Sequence, residues 1–374
     1  MSFEKLTEYL DSMPDLGIPG CDLRVWRAHQ PVYAHWTGEA DAGKPMTGKE
    51  TYWFYSTTKV ITMTASMQLI EQGRLALTDP VSKYLPSYGQ ITVRDGNRVR
   101  PAKNVMTIEH LMSMRGGLNY DCDSPAIRAC VGRYGSAATT VQLAEALALQ
   151  PLDFEPGTHY QYSLCHDVMA AIVEVVSGER FSEYVQRHIF DPLGIRDLTF
   201  HPTQDQIRRL AARYHWDRPR HPVAEDHFSL EYRLSDAHES GGAGLMGDVD
   251  SYMLLADALA NGGVGKSGAQ ILKPETIEIM RMDRQSDVTR RDMPERFAVD
   301  GYSYGLGVRV HLFETRNRSP IGEFGWDSAA GAWVMMDPEH RLSAFFASHV
   351  LNGELIYSEY HPRIRDLIYE SMGI

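Results

Sequence analysis

Hydrophobic positions along the chain follow two rhythms, and the rhythms are segregated by position. Residues 21–28 (Cys-Asp-Leu-Arg-Val-Trp-Arg-Ala) and 31–40 alternate with period two, bounded by Gly20 and by Gly38 and Gly43. That alternation predicts two antiparallel strands. From about 56 to 72, Val60, Ile61, Met63, Ala65, Met67, Leu69 and Ile70 cover nearly the whole circumference of a helix. A helix apolar all round belongs in a core, and Gly73 is placed to end it. Between 78 and 280 the texture is mostly helical, with helices predicted at 107–114, 139–149, 164–177 and 248–260. Asp79-Pro80 opens a short one, with proline in the tolerated first turn. The stretch 201–238 is rich in Pro, His and Arg and predicts a long surface excursion. Near 302 period two returns, predicting strands at 303–313, 321–326, 330–337 and 342–350. A turn at Asp337-Pro338-Glu339-His340 separates the last two, and 359–372 predicts a closing helix.

Strands at both ends with helices between them point to an α+β fold: one antiparallel sheet built from both chain ends and flanked by helices, with a mostly helical inserted lobe. The expected division is an α/β sandwich lobe from 1–77 and 281–374, a helical lobe from 78–280, and a cleft between them. Residues 3–13 predict an amphipathic surface helix.

Composition narrows the function classes. Among 374 residues there are 37 basic and 49 acidic side chains, a formal net charge of −12. An acidic balance argues against phosphate-backbone binding, so no nucleic-acid partner is expected. Arg208, Arg209, Arg213, Arg218 and Arg220 cluster, but His215, Asp217 and His221 interrupt them, which reads as a solvated loop. No window approaches 18 uninterrupted apolar residues, so no membrane span is expected. The first residues alternate charged and apolar positions without the apolar core of a leader, which predicts a cytoplasmic protein. Four cysteines at 21, 122, 130 and 165 are too few for a disulfide scaffold and lack zinc spacing, so all four are expected as thiols. The 15 histidines include no H-E-x-x-H, and there is neither a P-loop nor a G-x-G-x-x-G. No metal and no cofactor is therefore implied. Nothing in the pattern fixes the oligomeric state.

The sharpest chemical signal is Ser56-Thr57-Thr58-Lys59, where the buried helix begins. A spacing of three puts Ser56 and Lys59 on one face. A serine hydroxyl needs a base within hydrogen-bond reach, and a desolvated lysine titrates low enough to be one. The helix N-terminus adds N–H groups for an oxyanion. Lys59 is the only charge between Glu50 and Glu71, on a helix that otherwise reads as buried, and an unpaired buried lysine is costly. A second signal, Pro156-Gly157-Thr158-His159-Tyr160-Gln161-Tyr162-Ser163, is a turn-rich loop running into a helix. It could aim Tyr162 into a cleft, where a neighbouring ammonium would pull its pKa down. The third, from Glu323 through Trp333, gathers small residues on a strand, as close approach of a ligand requires. Gly301-Tyr302-Ser303-Tyr304-Gly305 matches G-x-S-x-G, with Asp327 and His349 following. A nucleophile elbow needs a helix after its serine, and here period two continues instead.

Taken in order, these segments resemble the serine β-lactamase and penicillin-binding-protein superfamily, in its class C β-lactamase-related branch with the family VIII carboxylesterases. Ser56-Thr57-Thr58-Lys59 matches S-x-x-K. Gln68 to Val81, Thr107-Ile108-Glu109-His110-Leu111 and Gly116-Gly117-Leu118 resemble the blocks that follow it. Tyr162-Ser163 falls at Y-x-N, Ser240-Gly241-Gly242-Ala243-Gly244-Leu245-Met246 matches the glycine-rich block, and Trp326-Asp327-Ser328 falls at K-T-G. The resemblance covers about 20 to 350. It implies a β-lactamase/transpeptidase-like fold, a Ser56 nucleophile, proton transfer shared by Lys59 and Tyr162, and an oxyanion hole from the N–H groups of Ser56 and Ala329. Leu164 replaces the Asn of Y-x-N, and His166 is the side chain at hand to take over its substrate contact. Trp326 replaces the lysine that pairs with a β-lactam carboxylate, so an ester, or an amide without that carboxylate, fits better. Asp327 would favour an amine on the substrate if it faces the cleft, and Ser328 completes the substrate-binding strand. The expectation is a cofactor-free serine hydrolase forming an acyl-enzyme with a small-molecule ester or amide. The alternatives are a D-aminopeptidase, β-lactamase or transacylase, or a non-catalytic binding protein on the same scaffold.

Overall fold

The computed structural model describes residues 2–374 except 227, 296, 298, 299, 316 and 352. Among them an eight-stranded sheet runs in the order Tyr302–Tyr304, Arg309–His311, Phe324–Asp327, Trp333–Asp337, Leu342–Ser348, Gly20–Arg27, Gln30–Asp41, Lys44–Pro45. The two chain ends meet where Gly20–Arg27 pairs antiparallel with Leu342–Ser348, placing Leu23 opposite Phe346 and Val25 opposite Ala344. Alternation sends Trp333 and Met335 to one face and Val334 and Met336 to the other. The first face is covered by the terminal helices Glu4–Asp11 and His361–Met372, through Leu6, Leu10, Ile364, Leu367 and Ile368. The second packs on the interior of the molecule with the helices Thr58–Glu71 and Val249–Ala260.

The Thr58–Glu71 helix is buried at every residue from Thr58 to Leu69. Two of its hydroxyls are satisfied within the helix: Thr64 Oγ1 donates to the Val60 carbonyl and Ser66 Oγ to that of Thr62. Such back-bonding lets polar residues sit in a buried helix. Gly73, at φ +70, ends it in the left-handed conformation expected of a terminating glycine.

Two predicted elements differ. The segment 303–313 is two antiparallel strands, Tyr302–Tyr304 and Arg309–His311. The chain reverses at Gly307, whose φ is +78 and whose Cα lies so close to Met63 that a Cβ would fall 2.0 Å from its Cγ. The excursion at 201–238 also holds regular structure. It contains a short helix, Gln204–Arg208, and a hairpin of Arg213–Arg218 with His221–Glu225, on which Val350–Leu351 adds a parallel strand.

Candidate active site

The backbone is strained immediately before the candidate nucleophile. Tyr55 has φ +44, a conformation that costs a non-glycine residue about 1–3 kcal/mol and persists only when its surroundings impose it. The Tyr55 side chain is fully buried. Its hydroxyl accepts from Arg213 Nη1 at 2.5 Å and donates to Glu231 Oε2 at 3.3 Å, and its ring meets Tyr232 edge-on. Arg213 is buried and ion-paired with Glu231 at 2.7 Å. The solvated-loop reading of this arginine is therefore corrected, because the hairpin folds inward and spends its guanidinium on Tyr55. The result is a tight turn, Tyr55–Thr57, that presents Ser56 where the buried helix starts.

Lys59 is fully buried and ringed by neutral acceptors. Its Nζ donates to Ser56 Oγ at 3.2 Å, Tyr120 Oη at 3.0 Å and the Gly242 carbonyl at 2.7 Å. It also lies 4.6 Å from the centre of the Tyr162 ring and 5.4 Å from that of Tyr120, two rings that stack on each other. Burial pushes the ammonium from 10.5 down to about 7, and the charge of Asp167 is the largest effect opposing that fall. Near neutral pH this amine therefore has a lone pair available to a serine hydroxyl one helical turn away.

Tyr162 Oη accepts from Trp326 Nε1 at 3.0 Å and is hydrogen-bonded to Ser56. Its proton affinity runs opposite to the expectation from a neighbouring ammonium. Burial raises the pKa strongly, and the bonds to Ser56 and Trp326 recover only part of the rise. Lys59 sits over the ring face rather than beside the oxygen, so this phenol stays protonated and is a donor.

The serine opens on a cavity of about 200 Å³ whose walls include Tyr160, Tyr162, Phe297, Trp326 and Tyr357. Asp327, Ser328 and Ala329 form its edge. Tyr357 Oη donates to the carbonyls of Ser328 (2.7 Å) and Ala329 (2.9 Å), which fixes the turn that follows the Trp326 strand. Asp327 borders the cavity, but its carboxylate accepts from the buried Arg309 at 3.0 Å. That pairing removes the reason to expect an amine on the substrate.

A beta-lactamase family model matches residues 4–366. The chain belongs to the beta-lactamase family. It is 31% identical over 346 residues to the esterase EstB of Burkholderia gladioli, across 84% of this chain and 75% of that protein. It is 29% identical over 344 residues to protein Rv1367c of Mycobacterium tuberculosis, across 87% and 84%. Among solved structures it resembles EstCE1, described as a hydrolase with promiscuous acyltransferase activity, with a TM-score of 0.78, 29% identity and 98% coverage of both chains. These similarities make it a serine hydrolase of the beta-lactamase family, on the mixed antiparallel-sheet fold read from both chain ends.

Within this family fold, Ser56, Lys59, Tyr162, Trp326, Asp327, Ser328 and Ala329 converge on one cleft. Leu164 and His166 do not. Leu164 is buried in the apolar core at the Y-x-N position, its N–H bonded to the Asn119 carbonyl. His166, two residues further along a regular helix, turns inward, fully buried, with Nε2 at 3.3 Å from the Met112 carbonyl. Neither is among the residues lining the cavity beside Ser56. Ser303 is also excluded as an elbow nucleophile: it is buried within a strand and donates to Asp283 Oδ1 at 2.7 Å. The Tyr120 hydroxyl was not singled out by the motifs, although it lies two residues beyond Gly116-Gly117-Leu118; Gly242 belongs to the quoted Ser240–Met246 block, but the role of its carbonyl as an acceptor for Lys59 was not foreseen. Among the described residues no cluster of three or more His, Cys, Asp or Glu is arranged to hold a metal, and no helix is long and apolar enough to cross a membrane.

Proposed function

We propose that this hydrolase acylates on Ser56 and turns over an uncharged small-molecule ester. The observation that carries the reading is the buried Lys59 amine, within hydrogen-bond reach of a serine that opens on an aromatic cavity. In this scheme Lys59 Nζ takes the Ser56 proton as Oγ forms its bond to the ester carbonyl carbon. The N–H groups of Ser56 and Ala329 receive the carbonyl oxygen as it becomes an oxyanion. Collapse breaks the bond to the leaving oxygen, which takes the proton held by Lys59 while the Tyr162 hydroxyl donates a hydrogen bond to it. Water then attacks the acyl-enzyme with the same groups in reverse, releasing the acid and free Ser56. Trp326, Asp327 and Ser328 form the substrate-binding edge of the cleft, between a sheet lobe of 1–77 and 281–374 and a helical lobe of 78–280.

Ester is favoured over β-lactam and peptide because Trp326 stands where a lysine would meet a substrate carboxylate, and among the described residues lining the cavity none is a lysine, arginine or histidine. The four free thiols support a cytoplasmic location. Comparing p-nitrophenyl butyrate, nitrocefin and D-amino-acid amides tests the reading. The ester should turn over with a kcat/KM at least about 100-fold above the other two. Preferential turnover of nitrocefin or an amide would replace it with the β-lactamase or D-aminopeptidase alternative. Ser56→Ala should abolish turnover of all three.

A further inference from the structure

The glycine-rich turn beside Lys59 is anchored from behind by a carboxylate that never enters the cleft. Asp167 lies in the first turn of the Cys165–Ser177 helix and is buried. Its Oδ1 accepts from Ser240 Oγ at 2.5 Å and from the Gly242 N–H at 3.4 Å. The second oxygen, Oδ2, is buried with no hydrogen-bond partner among the described residues. It lies so near the turn that a Cβ on Gly242 would fall 2.5 Å from it. Ser240 Oγ in turn accepts from the Ala243 N–H at 3.0 Å. The turn so fixed meets the nucleophile helix at three points. The Gly242 carbonyl takes the Lys59 amine, the Gly241 carbonyl takes Thr62 Oγ1 at 2.6 Å, and the Leu245 N–H reaches Thr58 Oγ1 at 3.1 Å.

We propose that Asp167 is a positioning residue for the base: it fixes the turn that receives the Lys59 amine, and it sets a carboxylate behind that turn on the helix facing the amine. The inference rests on the assignment of Lys59 as the base. The groups around the amine are Ser56 on its own helix, Tyr120 and Cys122 from the loop above, Tyr162, and Cys165, His166 and Asp167 from the facing helix. Of these, Asp167 alone is a carboxylate. On its far side stands His238, with Nε2 at 3.9 Å, buried and held toward its neutral form by desolvation. Without Asp167 the buried amine would lose its proton at a lower pH.

The test is the pH profile of kcat/KM on a neutral ester. Asp167→Asn keeps the shape and an acceptor for Ser240 but removes the charge. Its acid limb should move down by about one pH unit, so that at pH 5.5 it retains a several-fold larger share of its plateau rate than the parent protein does. Ser240→Ala removes the turn's hydrogen bond and leaves the charge, so its plateau should fall several-fold with the limb unmoved. Asp167→Glu also retains the charge and provides the same check if the Asn variant does not fold: a lower plateau, an unmoved limb. An Asn limb coincident with the parent's, or a Glu or Ser240→Ala limb that shifts, overturns the proposal. Lys59→Ala separates this from the underlying reading. If it retains turnover, the base assignment has failed; if it is inactive while the Asn limb is unmoved, only the role of Asp167 has.

Discussion

Two buried cations lie on opposite sides of the Trp326 strand, and they have opposite fates. Arg309 is paired directly with Asp327 at 3.0 Å and Glu323 at 3.3 Å, so the carboxylates outweigh desolvation and hold its proton more tightly than usual. Lys59 meets a hydroxyl, a phenol and a carbonyl, with the Asp167 carboxylate not among its hydrogen-bond partners, and burial wins. Both side chains are hidden from water, so burial by itself decides neither outcome. The first-contact partners do. Charged partners make a permanent cation that ties strands together, and neutral partners make an amine that can exchange its proton.

The comparison can be broken by giving both sites the same substitution. The largest effect expected is on turnover. Lys59→Met should lower kcat/KM by about 10³-fold, within the range for removing a general base. Arg309→Met should instead act on stability, lowering it by about 3–5 kcal/mol because the buried Glu323 and the partly buried Asp327 lose their cation; thermal melts measure this as a large fall in Tm. The stability effect of Lys59→Met has the opposite sign. The lysine binds its proton at 10.5 when unfolded and at about 7 when folded, so between those values the unfolded chain holds more protons. Stability therefore rises as pH climbs from about 7 toward 10.5, and the full cost of burying the amine is felt below 7. Lys59→Met should raise Tm at pH 6.5, by up to about 4 kcal/mol in stability, with the gain shrinking toward pH 10. A lowered Tm at pH 6.5 would mean the lysine is stabilising and the contrast is false. The smallest effect sharpens the link between the two sides. Trp326→Phe keeps the ring but loses the N–H that Tyr162 accepts, and should reduce kcat about 5- to 10-fold with little change in KM, in line with one hydrogen bond of about 1 kcal/mol.

How far the sequence carries depends on whether a signal is periodic or spatial. The sheet was legible because its alternation recurs at 21–40 and 321–350, and strands separated by the whole chain have few other partners to pair with. The nucleophile helix was legible because one lysine on an otherwise apolar circumference is anomalous. Tyr120 was not, since it sits in a loop with no rhythm and only tertiary packing brings its hydroxyl to Lys59. The Gly242 acceptor is a backbone carbonyl, which every residue has. Arg213 was misread because a buried arginine and a solvated one look alike within a polar stretch, and only the fold shows that Tyr55 occupies it. His166 looked available by proximity in sequence, yet two steps along a helix turn a side chain to the far face. For Tyr162 the position was legible and the direction of its proton affinity was not, because the sign depends on how much water reaches the phenol.

The central claim is that a neutral Lys59 activates Ser56, and the most direct measurement is the rate of fluorophosphonate labelling as a function of pH, read by intact mass and peptide mapping. The adduct should map to Ser56, form with a rate that rises through an apparent pKa near 7, and vanish in Ser56→Ala and Lys59→Ala alike. An adduct on another residue, or labelling of Ser56 that proceeds at the parent rate without Lys59, would contradict it.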